Sequence, residues 1–287
     1  MSVLELLDLL RCPVCTLPLT PAAGAVRCAA GHTFDLARQG YLNLLQGRPP
    51  RHADTADMVA ARERFLGAGH YAPIAARLAA SVRDGLLAVR GTAPLPRLDV
   101  LEVGAGTGYY LRQLLDALPG RGLALDISVA AARRAARVHP HVAAVVADTW
   151  QPLPVPDGSL DAVTCVFAPR NAAEFARVLR PDGILAVVAP LPEHLAALRR
   201  PLGLLAVQED KQERLSAALE PWFTPLGEEP VRAQVPCSPD AVRDLVTMGP
   251  NAFHTDAAAL TARIAALPDP VPVEVAVTVR TWHLASG

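Results

Sequence analysis

Residues 98–108 read LDVLEVGAGTG. Six mostly apolar residues of strand length run into glycines at positions 104, 106 and 108, the signature of a buried strand entering a tight turn. The YYLRQLL that follows has helical spacing, so the turn should open a helix over about 109–118. Glycines at a strand-to-helix junction let backbone approach a ligand at the carboxyl edge of a parallel sheet. Such a turn does not by itself select the ligand, because dinucleotide enzymes place G-x-G-x-x-G there. Here Tyr109 occupies the third-glycine position and Tyr110 follows it. Two bulky rings disfavour close docking of a pyrophosphate, which counts against an NAD-linked oxidoreductase.

Downstream the alternation continues, with strands expected at 122–127, 142–148, 160–167 and 184–190 and helices at 129–138 and 172–179. It predicts an α/β, Rossmann-like architecture, a mostly parallel sheet with helices on both faces. The tail has helical patterns at 193–200 and 239–246. Its last strand, VPVEVAVTVRTW (271–282), alternates as a half-exposed edge or antiparallel strand would. Upstream, helices are expected from Asp57 to Gly67 or Gly69 and over 73–90, and residues 91–96 break the chain. The polar, proline-bearing QGRPPRHADTA (46–56) reads as a linker or a substrate-facing loop. Three parts are expected: a small N-terminal domain at 1–45, a linker and helical segment at 46–96, and the main domain at 97–287.

The strand ends carry acids. Asp126 falls 22 residues after Gly104, where a carboxylate can accept both ribose hydroxyls of an adenosine. Asp148 ends the next strand, and Thr149 and Trp150 add a hydrogen-bonding group and an aromatic beside an adenine. Glu102 is placed to help hold a cationic end of the ligand. Each acid alone could merely cap a helix. Three at successive strand ends, with Gly104, Gly106 and Gly108, point to an adenosyl ligand and specifically to S-adenosylmethionine.

A second cluster lies near the start, in RCPVCTLPLTPAAGAVRCAAGHTF (11–34). Cys12 and Cys15 form one close pair, and Cys28 and His32 the other. A disulfide or a redox pair are the rivals, but the surroundings lack a thioredoxin-like βαβ unit. Two thiolate-bearing turns facing each other match a structural, closed tetrahedral Zn2+ site, which would clamp a segment too short for a core of its own. Cys165 and Cys237 have apolar neighbours and read as buried.

Composition excludes little. The 287 residues are 51% hydrophobic, enough for a large core. No apolar run approaches the roughly 18 residues of a membrane span, and the first ten residues lack a basic start, so a cytoplasmic protein without membrane contact is expected. Net charge is −1, and every basic residue but Lys211 is arginine, so bulk charge does not announce a nucleic-acid partner.

Taken together, EVGAGTG (102–108), LALDIS (123–128), VVADTWQPLPVPDGSLDAV (145–163) and LRPDGILAVVAP (179–190) resemble the successive motifs of class I S-adenosylmethionine-dependent methyltransferases. RCPVC with RCAAGHTFDLARQGYLNLL (27–45) resembles the RlmA family of ribosomal RNA guanine-N1 methyltransferases. DTADMVAARERFLGAGHYAPI (54–74) and VFAPRN (166–171) extend that likeness. HLAALRRPLGLLAVQEDKQERL and MGPNAFH resemble its Gram-positive, tylosin-resistance branch. The resemblance implies a zinc module on Cys12, Cys15, Cys28 and His32. It implies cofactor contacts at Tyr71, Gly106, Thr107 and His194, and a target guanine in a domain II hairpin of 23S rRNA, at the macrolide site of the peptide exit tunnel. A homodimer is compatible with it.

Guanine N1 must lose a proton, so an acceptor should help. Asp54, Asp57 and Asp148 are within the pattern, and Phe167, Arg170 and Asn171 follow the fourth strand, where substrate-facing groups sit. No catalytic base is singled out; the candidate catalytic residues are Arg170, Asn171 and Asp54. Arg27, Arg38, Arg48 and Arg51 are placed to grip hairpin backbone. The rival readings are a methyltransferase for another RNA, a protein or a small molecule, and a catalytically silent, zinc-stabilised ribosome-binding protein.

Overall fold

A computed structural model describes residues 3–47, 53–91, 95–204, 217–253 and 256–285. The apolar alternation folds into one large sheet. Its parallel strands are β5 (Leu98–Val103), β6 (Gly120–Asp126), β7 (Val142–Val146), β8 (Leu160–Val166) and β9 (Leu179–Pro190). At one end β4 (Leu42–Asn43) adds in parallel to β7. At the other, β11 (Val271–Leu284) runs antiparallel to β9, and β10 (Phe223–Cys237) antiparallel to β11. The full order is β10-β11-β9-β8-β5-β6-β7-β4. Because β6 and β7 extend one way from β5 and β8 and β9 the other, the order reverses beside β5, the place where open α/β sheets bind ligands.

Helices α1 (Ala56–Gly67), α2 (Ala72–Arg90), α3 (Tyr109–Ala117), α4 (Val129–Ala135), α5 (Ala172–Val178), α6 (Ala196–Leu202), α7 (Pro239–Thr247) and α8 (Ala257–Ala265) surround the sheet. Side chains of β5 alternate between two cores. Leu98 and Val100 pack with Leu78, Val82 and Leu86 of α2 and with Leu111 of α3. Leu101 and Val103 pack with Phe175 of α5 and with Val3, Leu6, Leu7 and Leu9 of a short 3-10 helix, Val3–Leu9. Burial of an aliphatic side chain contributes about 1.5–3 kcal/mol, so this N-terminal turn is part of what holds the sheet together.

The residues between, β1 (Leu19–Ala22), β2 (Ala25–Cys28) and β3 (Thr33–Asp35), form a separate three-stranded antiparallel sheet. Both its flanks are thus anchored to the large sheet: the 3-10 helix on one side, with Asp8 paired to Arg121, and β4 on the other.

Two elements depart from expectation. The final strand is antiparallel, but it is an interior strand, and Val273, Val275, Val277 and Val279 are buried. The edge is instead β10, which the pattern did not announce. It carries prolines 225, 230 and 236. A one-residue bulge between Pro225 and Gly227 puts all three opposite even-numbered β11 residues (Trp282, Thr278 and Pro272). They share one phase of the ladder, as an edge strand requires if its missing N–H groups are to face the open side.

Candidate active site and metal centre

The four expected zinc ligands converge. Cys12 Sγ and Cys28 Sγ lie 3.6 and 3.4 Å from His32 Nδ1, and Cys15 Sγ lies 3.6 Å from Cys28 Sγ. All four donor atoms fall within 4.8 Å of one another. Zn–S bonds of about 2.3 Å and Zn–N bonds of about 2.0–2.1 Å give tetrahedral edges of roughly 3.5–3.8 Å, so the donor set fits zinc. Local turns create it. Thr16 N–H donates to Cys12 O at 2.8 Å, Gly31 N–H to Cys28 O at 3.0 Å, and Cys28 N–H to His32 O at 3.1 Å. The site is a structural Cys3His zinc centre. Arg11 N–H donates to Pro154 O at 2.9 Å, which ties the centre to the loop after β7.

At the carboxyl edge of the large sheet, the glycine turn joins β5 to α3. A Cβ on Gly104 would stand 2.4 Å from the Cβ of Ala168, so the ends of β5 and β8 meet only because that position is glycine. Gly106 N–H donates to Asp126 Oδ2 and Ser128 N–H to Asp126 Oδ1, both at 2.8 Å. Burial pushes the Asp126 carboxyl up, while the two N–H donors pull it back. The turn and its carboxylate are therefore preorganised as one unit, with no side chain at Gly106 to stand between backbone and an adenosyl ligand. Thr107 and Gly108 continue into α3, and Thr107 is buried.

Glu102 is also buried, and its Oε2 accepts from Leu111 N–H at 2.9 Å, so its carboxyl braces α3 beneath the turn. Burial first, and then the nearby Asp126 charge, push it up to about 8 against the pull of that N–H. At the end of β7, Asp148 Oδ1 accepts from Trp150 N–H at 2.9 Å. Thr149 is buried, and the Trp150 ring is 64% exposed.

Tyr71, at the start of α2, and His194, after β9, meet at the end of β8. Tyr71 Oη lies 3.3 Å from His194 Nε2, and Ala276 N–H donates to His194 Nδ1 at 3.2 Å. That backbone donor assigns the proton to Nε2, which donates to the phenol oxygen. Burial, with the Arg199 charge second, lowers the imidazole to about 4, and burial raises the Tyr71 phenol. Phe167 stacks on His194 with centroids 5.9 Å apart and planes at 24°. It stands at φ +55°, a costly conformation for a bulky residue, and is 42% exposed.

Beyond it, Arg170 is held half-buried. Its Nε has no hydrogen-bond partner among the described residues, and burial lowers the guanidinium. Asn171 heads α5 without capping it; instead its Nδ2 donates to Thr149 O at 3.0 Å, bridging the ends of β7 and β8. Asp54 is paired with Arg62, and Asp57 is exposed in the first turn of α1. Arg62, which sequence reasoning did not single out, lies against Gly106. Eight residues separate it from Asp54 and no motif joins them, so only the fold reveals the pair. Arg27, next to Cys28, and Arg38, between β3 and β4, are exposed, whereas Arg48 and Arg51 lie outside the described residues.

Strand order, glycine turn and buried Asp126, with the Cys3His centre, define a class I S-adenosylmethionine-dependent methyltransferase carrying an N-terminal zinc module. Residues 10–48 match the family model described as RlmA, N-terminal, a zinc ribbon, and residues 100–183 match a methyltransferase domain model. The Streptomyces fradiae 23S rRNA (guanine(748)-N(1))-methyltransferase is 46% identical, over 94% of this chain and 94% of its own. A Micromonospora griseorubida protein provisionally named 23S rRNA (guanine-N(1)-)-methyltransferase is 51% identical over 97% of this chain and 98% of its own. A Bacillus subtilis protein with the same provisional designation is 31% identical over 67% and 68%. The chain belongs to the RlmA-type 23S rRNA (guanine-N1)-methyltransferase family. Among the described residues no helix is long and apolar enough to cross a membrane.

Proposed function

We propose that this enzyme methylates N1 of a guanine in a domain II hairpin of 23S rRNA, in the macrolide-binding part of the exit tunnel, and thereby confers tylosin-type resistance. The observation that carries the reading is the zinc module anchored through both flanks to a methyltransferase sheet, in a chain matching relatives of that named activity nearly end to end. Two rigid attachments hold the exposed Arg27 and Arg38 at a fixed position relative to the reaction site, as a docking surface for a folded RNA must be. The reaction takes place in the cytoplasm, where ribosomes are.

Asp126 holds the ribose; Asp148, Thr149 and Trp150 flank the adenine; and Gly104, Gly106, Thr107 and Gly108 supply the backbone wall, with Glu102 setting the position of α3. Tyr71 and His194 close the pocket toward β8. Bound S-adenosylmethionine supplies an electrophilic methyl group whose transfer is an in-line displacement, so alignment provides much of the acceleration. The guanine must leave its pairing to expose N1. Phe167 presents a half-exposed ring face on which it stacks, a contact worth about 1–3 kcal/mol. Arg170, three residues after Phe167 in the segment between β8 and α5, supplies a cation that stabilises negative charge on O6 as the N1 proton passes to solvent. Asn171 fixes the loop that carries both.

Primer extension across domain II of 23S rRNA, in cells with and without the gene, tests the proposal. N1-methylation removes a Watson–Crick donor and stops reverse transcriptase. A gene-dependent stop at a single guanine is expected, and identical patterns would defeat the reading.

A further inference from the structure

An ion pair lies across the glycine turn. Arg62, on α1, contacts the Asp54 carboxylate, and the two side chains are 21% and 23% exposed. A Cβ built on Gly106 would come within 3.0 Å of Arg62 Nη1 and 3.2 Å of its Cδ, so the guanidinium lies against the backbone of the turn. Both members are held from outside. The Asp54 carbonyl accepts from Ser128 Oγ at 2.7 Å, beside Asp126, and Arg62 Nη2 donates to Met248 O at 2.5 Å, at the end of α7. The charges of both reach the Asp126 carboxyl.

Strand order gives the pair a chemical role. β7, β6 and β5 are neighbours in that sequence. With adenine at the end of β7 and ribose on Asp126 at the end of β6, the rest of the cosubstrate runs toward the end of β5. That remainder is an amino-acid zwitterion, carrying one carboxylate and one ammonium. The groups above the β5 turn are one guanidinium and one carboxylate. We propose that Arg62 binds the carboxylate, and Asp54 the ammonium, of the amino-acid end of S-adenosylmethionine. The assignment rests on the placement of the adenosyl group in the preceding section. Guanidinium and carboxylate groups form charge-assisted hydrogen bonds, which suit an anion held at a partly buried site.

The test compares two nucleosides that differ only in this end. S-Adenosylhomocysteine carries the amino acid, and 5′-methylthioadenosine lacks it. By calorimetry, Arg62→Met should weaken S-adenosylhomocysteine binding by about tenfold or more and leave 5′-methylthioadenosine binding unchanged, with Arg62→Lys falling between. Asp54→Asn should show the same selective loss. Unchanged methylthioadenosine binding also establishes that the variants are folded. Equal losses for both nucleosides, or none for either, would overturn the assignment and leave the adenosyl site standing. Wild-type protein binding neither would overturn the adenosyl site itself, and the assignment with it.

Discussion

Tyr71 Oη and His194 Nε2 lie 3.3 Å apart, although 123 residues separate them in the chain. The contact joins the start of α2 to the segment after β9 and fixes the imidazole as a neutral Nε2–H tautomer, because Ala276 N–H occupies Nδ1.

Stability should therefore depend on pH through His194. Its folded value of about 4 lies below the ordinary 6.5, so the unfolded chain binds more protons between the two. The stabilisation is complete above 6.5, is lost as pH falls, and stops declining below about 4. The total is roughly 3 kcal/mol. In His194→Gln the amide can keep one donor and one acceptor without titrating. Denaturant unfolding of both proteins between pH 4 and 7 should show a steeper loss for the wild type. Parallel curves would mean the imidazole is not held neutral.

Removal of zinc should be a local event with a remote consequence. His32→Ala deletes one of four donors, and bound zinc measured by mass spectrometry should disappear. New proteolytic cuts should then fall within 11–35, while β5 to β9 stay protected, because one face of the large sheet packs in a core that includes no residue of 11–35. S-Adenosylhomocysteine affinity should remain within about twofold and hairpin binding should collapse. Unimpaired hairpin binding would separate the zinc centre from RNA docking.

The zinc centre was readable because its ligands are local: two close pairs suffice to name the metal. The place of Asp126 at the end of β6, hydrogen-bonded to the glycine turn, was readable for a related reason, since the acid follows that turn at a set distance. Tyr71 and His194 came from resemblance alone, as no spacing joins residues that meet only after β9 and β11 pair. Arg62 gave no signal for the same reason. The strand β10 was hidden by its own chemistry. Its prolines and its charged residues Glu228, Glu229 and Arg232 are tolerated at an exposed edge, and they leave no apolar run of the kind that marked β5 and β8.

Charge reversal at Arg27 and Arg38 should weaken binding of a domain II hairpin and leave cofactor affinity intact. If each contacts a phosphate, the slope of log affinity against log salt should fall by about 0.7–0.9 per residue replaced. An unchanged slope would place the RNA elsewhere.

Arg170→Met should lower the methyl-transfer rate at saturating substrate by about 100-fold, while S-adenosylhomocysteine binds as before. If the guanidinium acts on O6 as N1 loses its proton, Arg170→Lys should retain part of the rate, and high pH should partly relieve the methionine variant. A uniform, pH-independent loss would reduce Arg170 to packing.

The most direct measurement is to incubate purified protein with an unmodified domain II transcript and methyl-labelled S-adenosylmethionine, digest the RNA and separate the nucleosides by mass spectrometry. Label should appear in 1-methylguanosine, at no more than one residue per transcript. Label in any other nucleoside, or in none, would contradict the assignment of this pocket to guanine N1.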